Sequence, residues 1–246
     1  MRDSYYDHRT TESDPVRLRR MIAEAELVAA FRLAPSLDDV DSLIYLHRRS
    51  VLEGWLNELP TGINVLDVGG RIQPYRSLIE PKARTYFGLD LQFEGTVDVV
   101  ASAEQIPFRT ECLDLVLCND ALQYVFDPQA AMREMHRVLK PGGQLILSTR
   151  GQYPEHHDEL WRFLPDGLRH LARAFARVEV EPEGRSGSGV MTALNVLMHR
   201  NIRALALQRI TARTSVPLMN ALGLIIDRIL PKDVRFTCGH SLRAFK

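Results

Sequence analysis

The apolar positions of this chain change their rhythm at residue 63. Ahead of it lie two helical patterns, residues 16–33, with Met21, Ile22, Leu27, Val28 and Phe31 near helical spacing, and residues 38–59, closed by Pro60. From residue 63 onward, short apolar runs alternate with turn residues and helical segments, the rhythm that builds βαβ units around a parallel sheet. The runs predict strands at 63–68, 85–90, 97–101, 113–118, 144–148 and 178–181. Between the fourth and fifth, DPQAAMREMHRVLKPGG predicts a helix: Asp127 can cap it, Pro128 suits its first turn and Pro141-Gly142-Gly143 stops it. Only LQFEGT joins the second and third strands. That is about half the dozen residues a parallel crossover requires, so the usual crossover helix is predicted to be missing there. Residues 190–210 and 216–230 predict two late helices, and 235–245 a returning last strand. The chain therefore divides into a leader and helical extension (1–60), an α/β core (61–186), a helical insertion (187–232) and a closing strand (233–246).

Composition narrows the class. The 246 residues are 45% hydrophobic and 25% charged, which excludes disordered and fibrous chains. Thirty-one basic residues balance thirty-one acidic ones, which argues against a nucleic-acid partner held by phosphate charge. The first fifteen residues, MRDSYYDHRTTESDP, are too polar for a signal peptide, and no apolar run reaches membrane-spanning length, so a cytoplasmic location is expected. Cys112, Cys118 and Cys238 lack the spacing of a zinc site and read as free thiols, Cys118 as a small buried hydrophobe. No metal site is expected.

The candidate chemistry starts in NVLDVGGRIQPY, where a buried strand runs into Asp67, two glycines follow and Pro74 offers a preset helix start. Glycine lets the backbone approach a ligand without a Cβ in the way. About 21 residues after Gly69 the second strand ends at Asp90, whose carboxylate can accept both hydroxyl protons of a ribose. Arg71 and Pro74 break the G-x-G-x-x-G spacing, which disfavours a dinucleotide pyrophosphate and a nicotinamide oxidoreductase.

Taken together, VLDVGGRIQPY, GLDL, SAEQIPF, DLVLCNDALQYVFDP and RVLKPGGQLILST resemble, in order, the motifs of class I S-adenosylmethionine-dependent methyltransferases of the type 11-like group. The resemblance covers about residues 65–151. It implies a Rossmann-like sheet, mostly parallel with its last strand antiparallel, with N-terminal helices and a helical insertion before that strand. It also implies S-adenosylmethionine as cofactor, with Asp67, Gly69 and Gly70 on the methionine side, Asp90 and Leu91 at the ribose, Ser102 and Ala103 at the adenine, and Asn119 beside the methyl. Three features depart from the family. Arg71 and Gln73 stand where the loop has its second and third glycines, narrowing the methionine side; Ser102 replaces an Asp; and the crossover helix after the second strand has no room.

The cofactor carries an activated methyl, so the protein chiefly binds, aligns and excludes water. The acceptor is expected beyond the carboxyl ends of the strands, near NDALQY and RGQYPEHHDELW. His156 and His157 are candidate general bases for an oxygen acceptor, with Asp120 and Glu155 as competitors. Arg150 is a candidate ligand for a carboxylate or phosphate. Tyr5, Tyr6, Trp55 and Trp161 are candidates for a lid, though helical spacing also suits packing. The expected acceptor is a small molecule or a glycan, methylated at oxygen. The apolar stripe of VMTALNVLMHRNIRALALQRI suits core packing, a homodimer face or, through Arg200, Arg203, Arg209 and Arg213, peripheral membrane contact and a lipid-linked acceptor. The rival reading is a cofactor-binding scaffold that has lost turnover.

Overall fold

A computed structural model describes residues 15–93, 96–153, 158–230 and 232–246, and the side chains from residue 19 onward. Seven strands form one sheet: β1 (Ile63–Val68), β2 (Ala83–Asp90), β3 (Val99–Val100), β4 (Leu113–Asn119), β5 (Leu139–Arg150), β6 (Arg177–Glu183) and β7 (Gly239–Phe245), in the order β3-β2-β1-β4-β5-β7-β6. The first five run parallel, whereas β7 pairs antiparallel with both β5 and β6. Near-continuous apolar runs in β1 and β4 follow from cover on both faces of the sheet.

Alternation divides the core. Val65, Leu115, Leu117 and Ile146 meet Leu52, Trp55 and Leu56 of α2 (Ser42–Asn57), while Leu66, Val116, Leu145 and Leu147 pack with Met132 and Met135 of α4 (Pro128–Val138) on the other face. Asp127 caps α4 by accepting from the Ala130 N–H at 3.0 Å, with Pro128 in the first turn. Cys118 is buried in this core, where burial pushes its thiol up to about 12. Ahead of the sheet, α1 (Pro15–Leu33) precedes α2.

Several boundaries differ from the sequence pattern for local reasons. The helix announced by Pro74 is one turn, α3 (Arg76–Ile79), followed by a 3-10 turn at Glu80–Lys82, where Pro81 removes a donor. In the β2–β3 connection the described residues form no helix. β3 is two residues long, and β5 starts earlier than its apolar run, at Leu139. After the short α5 (Pro165–Leu171), the insertion holds three helices: α6 (Ser186–Arg200), α7 (Leu205–Arg213) and α8 (Ser215–Ile229). The pattern at 190–210 splits where Asn201 donates from Nδ2 to the Leu197 carbonyl, a side-chain bond that competes with continuation of the helix. Among the described residues no helix is long and apolar enough to cross a membrane.

Candidate active site

Strand order reverses between β1 and β4, and the carboxyl ends of those strands frame the crevice where open α/β sheets bind ligands. Gly69 turns there with φ +76, and a Cβ on it would overlap that of Ala121, so the loops after β1 and β4 touch at this point. Gly70 lies against β1 and β2, where an added Cβ would be 2.7 Å from the Asp67 carbonyl oxygen and 3.0 Å from Gly88 Cα. The glycines thus serve close backbone approach.

The two substituted glycine positions leave this frame intact. Gln73 adopts the left-handed conformation, φ +51, that glycine would take freely. Its buried side chain turns over Gly88, donating from Nε2 to the Thr96 carbonyl at 2.7 Å and accepting from Arg76 Nη1 at 3.0 Å. The expected narrowing by Gln73 is therefore directed at the β2–β3 connection. Arg71 is exposed.

Asp67 is buried and accepts from the Tyr86 hydroxyl at 2.8 Å. Burial raises its pKa to about 6 against that hydrogen bond, with Asp90 adding a smaller push in the same direction. Asp90 ends β2, and its Oδ1 accepts from the Gln92 N–H at 3.1 Å; Leu91 beside it is exposed. Ser102 accepts from the Glu104 N–H at 3.1 Å, and Ala103 is buried against the core. Asn119 closes β4, accepting from the Ser148 hydroxyl at 3.0 Å, while its buried Nδ2 has no hydrogen-bond partner. That orphan donor fits a ligand oxygen.

Asp120 does not suit the role of general base. It lies among three arginines, with Arg48 Nη1 2.6 Å from Oδ2, Arg150 Nε 3.8 Å from Oδ1 and Arg32 Nη1 4.0 Å from Oδ2. Burial alone would raise its carboxyl, but Arg48, Arg150 and Arg32 together hold it well below the usual carboxylate range. Such an acid is too weak a base for proton removal near neutral pH. Arg48 also binds Glu183, from Nε to both oxygens and from Nη2 to Oε2, each at 3.0 Å.

Arg150 is 5% exposed, stacks on Tyr153 at 4.6 Å, and leaves Nε and Nη1 without hydrogen-bond partners. Tyr153 lines a cleft of about 290 Å³ together with Glu159, Leu160, Trp161 and Arg162. Glu155, His156 and His157 lie outside the described residues, as do Tyr5 and Tyr6. Of the candidate lid residues, Trp55 belongs to the core, whereas Trp161 lines the cleft and donates from Nε1 to the Val125 carbonyl at 2.8 Å.

Sequence reasoning missed Arg48 and Glu183. The one available signal was an arginine on the Ile44, Leu52 and Leu56 stripe of α2, where a charge must find a buried partner.

The strand order, the reversal between β1 and β4, and a glycine turn followed by an acid at the end of the neighbouring strand define the class I methyltransferase fold. Residues 66–147 match the model of the methyltransferase domain family, and this core is similar to the class I S-adenosylmethionine-dependent methyltransferases. It is 35% identical over 114 residues to malonyl-(acyl-carrier protein) O-methyltransferase 1 of Coxiella burnetii, an alignment covering 44% of this chain and 40% of that protein. To the ubiquinone biosynthesis O-methyltransferase of Pseudomonas entomophila it is 31% identical over 150 residues, covering 50% of this chain and 63% of the other. The chain thus spans less than two thirds of either relative. A chain in the complex of the Haloferax volcanii Trm112 methyltransferase activator with a methyltransferase shares the fold, with a TM-score of 0.55 at 18% identity, covering 89% of this chain and 97% of that one.

Proposed function

We propose that this chain is an S-adenosylmethionine-dependent methyltransferase acting on a small-molecule or glycan acceptor, at oxygen in preference to nitrogen or carbon. The observation that carries the reading is the placement of left-handed Gly69, the acid Asp90 and the unpartnered Asn119 Nδ2 at the carboxyl ends of adjoining strands, inside the segment that matches the methyltransferase family. Two relatives with O-methyltransferase in their names support the oxygen preference.

When bound, the cofactor supplies a methyl on a sulfonium, which needs no covalent help from the protein. In this reading Asp67, Gly69 and Gly70 hold its methionine part, Asp90 and Leu91 its ribose, Ser102 and Ala103 its adenine, and Asn119 borders the methyl. The cleft beside Tyr153 and Trp161 holds the acceptor. A lipid-linked acceptor belongs to the same reading, supported by the exposed apolar rim of the cleft at Leu160 and Trp161.

Calorimetric titration with S-adenosylhomocysteine tests the cofactor reading and separates it from other uses of the fold. Asp90→Ala is expected to lower that affinity by about 1–3 kcal/mol, the cost of leaving polar groups unpaired. Unchanged affinity would remove Asp90 from the ribose.

With Asp120 locked in ion pairs, proton removal falls to His156 or His157, with Glu155 as the competitor. Replacing the responsible histidine by Ala is expected to cut turnover of an oxygen acceptor by about 10²-fold or more while leaving S-adenosylhomocysteine affinity within about twofold. Full turnover in both variants would assign the step to Glu155 or to alignment alone.

A further inference from the structure

The helical insertion is sorted inside out. In α6 the buried positions are Ser188, Gly189, Thr192 and Asn195, with Val196 as the single large apolar member; in α8 they are Val216, Asn220, Gly223 and Asp227. Apart from the Thr192 hydroxyl, which has no hydrogen-bond partner, the buried polar side chains bond one another or nearby backbone. Ser188 donates from Oγ to Asp227 Oδ2 at 2.6 Å, Asn195 from Nδ2 to Asn220 Oδ1 at 2.9 Å, and Asn220 from Nδ2 to the Leu37 and Asp39 carbonyls at 2.9 Å. Glycines bring the backbones close: a Cβ on Gly189 would overlap the Phe236 carbonyl, and one on Gly223 would lie 3.2 Å from Ser188 Cα.

Most of the leucines and isoleucines face outward, Ile202, Leu224 and Ile226 being half-buried. On α8, Leu218, Leu222, Ile225 and Ile229 recur at helical spacing, with Leu218 70% and Ile229 76% exposed. On α6, Val190, Leu194 and Leu197 do the same. α7 buries no residue and leaves Leu205, Leu207 and Ile210 exposed. Helices packed in water sort the other way, with an apolar stripe inward. Small and polar residues between helices, with large apolar residues outside, match apolar surroundings, and a continuous exposed apolar surface marks an interaction site.

Charge selects the partner. Although the whole chain is neutral, residues 186–232 carry six basic residues, Arg200, Arg203, Arg209, Arg213, Arg228 and Lys232, against one acid, Asp227. That acid is buried against Ser188. A second copy on this face would set cations against cations, whereas acidic headgroups would neutralise them. The fifteen residues of α6 or α8 reach about 22 Å, short of the roughly 30 Å bilayer core, so the surface lies on a membrane instead of crossing it.

We propose that the outer face of α6, α7 and α8 docks on the surface of an anionic lipid bilayer. This surface adjoins the cleft: Arg200 Nη2 donates to the Tyr153 hydroxyl at 3.3 Å, and Tyr153 lines the cleft. Docking therefore sets the cleft beside the bilayer, and the docking itself does not depend on methyl transfer.

The test is co-sedimentation of the full chain with vesicles of phosphatidylcholine containing phosphatidylglycerol and with vesicles of phosphatidylcholine alone. The expected result is binding to the anionic vesicles only, weakened by added salt. Arg209→Glu with Arg213→Glu, and separately Leu218→Glu with Ile225→Glu, each lower the vesicle partition by about tenfold or more. These side chains are exposed, and S-adenosylhomocysteine titration and thermal unfolding of each variant confirm that the core is unchanged. Absence of anionic-vesicle binding, or binding that survives both pairs of substitutions, overturns the proposal. So does a solution dimer, seen by light scattering, that Leu218→Glu with Ile225→Glu dissociates. Vesicle binding without S-adenosylhomocysteine binding would count against the proposed reaction and leave the docking surface standing.

Discussion

Arg48→Ala lowers the unfolding free energy by about 3–5 kcal/mol, the range expected when one partner of a buried ion pair is removed. Arg48 is 1% exposed and is the shared counterion of two buried acids, Asp120 and Glu183. Its loss strands both charges. Arg150 and Arg32 stand 3.8 and 4.0 Å from Asp120 and compensate only in part, while Glu183 keeps a single hydrogen bond from Ser241, at 2.7 Å. Urea unfolding near pH 7 measures the effect. The pH sign follows from Asp120, whose folded pKa lies below its unfolded one. Its contribution is present above the unfolded value of about 3.8 and disappears as pH falls through the folded one. The Arg48→Ala deficit attributable to Asp120 therefore narrows in acid. A neutral background supplies the control: combining Arg48→Met with Glu183→Gln and Asp120→Asn should recover part of the loss, because both acids that Arg48 neutralised are then uncharged, while Arg150 and Arg32 lose Asp120 as a counterion. Asparagine tolerates the left-handed backbone of Asp120, φ +54. A loss below about 1 kcal/mol for Arg48→Ala, the scale of an exposed pair, would mean that water reaches these carboxylates.

Legibility from the sequence follows the range of the interactions. β1 and β4 are readable because sheet cover on both faces demands unbroken apolar runs, and α4 because Asp127 and Pro128 act within one turn. The glycine turn and Asp90 are readable for the same reason: each sits at the end of a recognisable strand. The fate of Gln73 is not local, because its buried side chain is fixed by Thr96 and fits only because Gly88 on the adjoining strand has no Cβ. The Arg48 cluster is less visible still, since its acids come from the ends of β4 and β6. A helical stripe interrupted by arginine announces a need for partners without naming them. The insertion misleads in another way, because its apolar stripe predicts a helix equally well whether the leucines face inward or outward. The close packing at Gly189 and Gly223, with the Ser188–Asp227 and Asn195–Asn220 hydrogen bonds, sets the direction.

Asp67→Asn makes the ligand-free protein more stable at pH 8 and no more stable at pH 4. The Asp67 carboxyl is raised from 3.8 to about 6, first by burial, so the folded chain holds its proton more tightly than the unfolded chain. A raised folded pKa gives a contribution that is complete below about pH 4 and is lost as pH rises through about 6. Above that, the buried carboxylate costs about 3 kcal/mol as an upper figure, at about 1.4 kcal/mol for each pKa unit. Asparagine avoids the charge and can still accept from Tyr86 through Oδ1. The difference between variant and wild type, measured by urea unfolding across pH 4 to 8, isolates Asp67 from every other titrating group. A difference that stays flat, or a variant less stable at pH 8, would defeat this account. The same acid gives the proposed function a signature independent of turnover. If the ammonium group of S-adenosylhomocysteine lies near Asp67, it favours the ionised form, and binding near pH 6 releases up to about half a proton. Calorimetry in two buffers of different ionisation enthalpy reads that proton directly. Wild type should release it and Asp67→Asn should not, while equal release from both would place the ammonium group elsewhere.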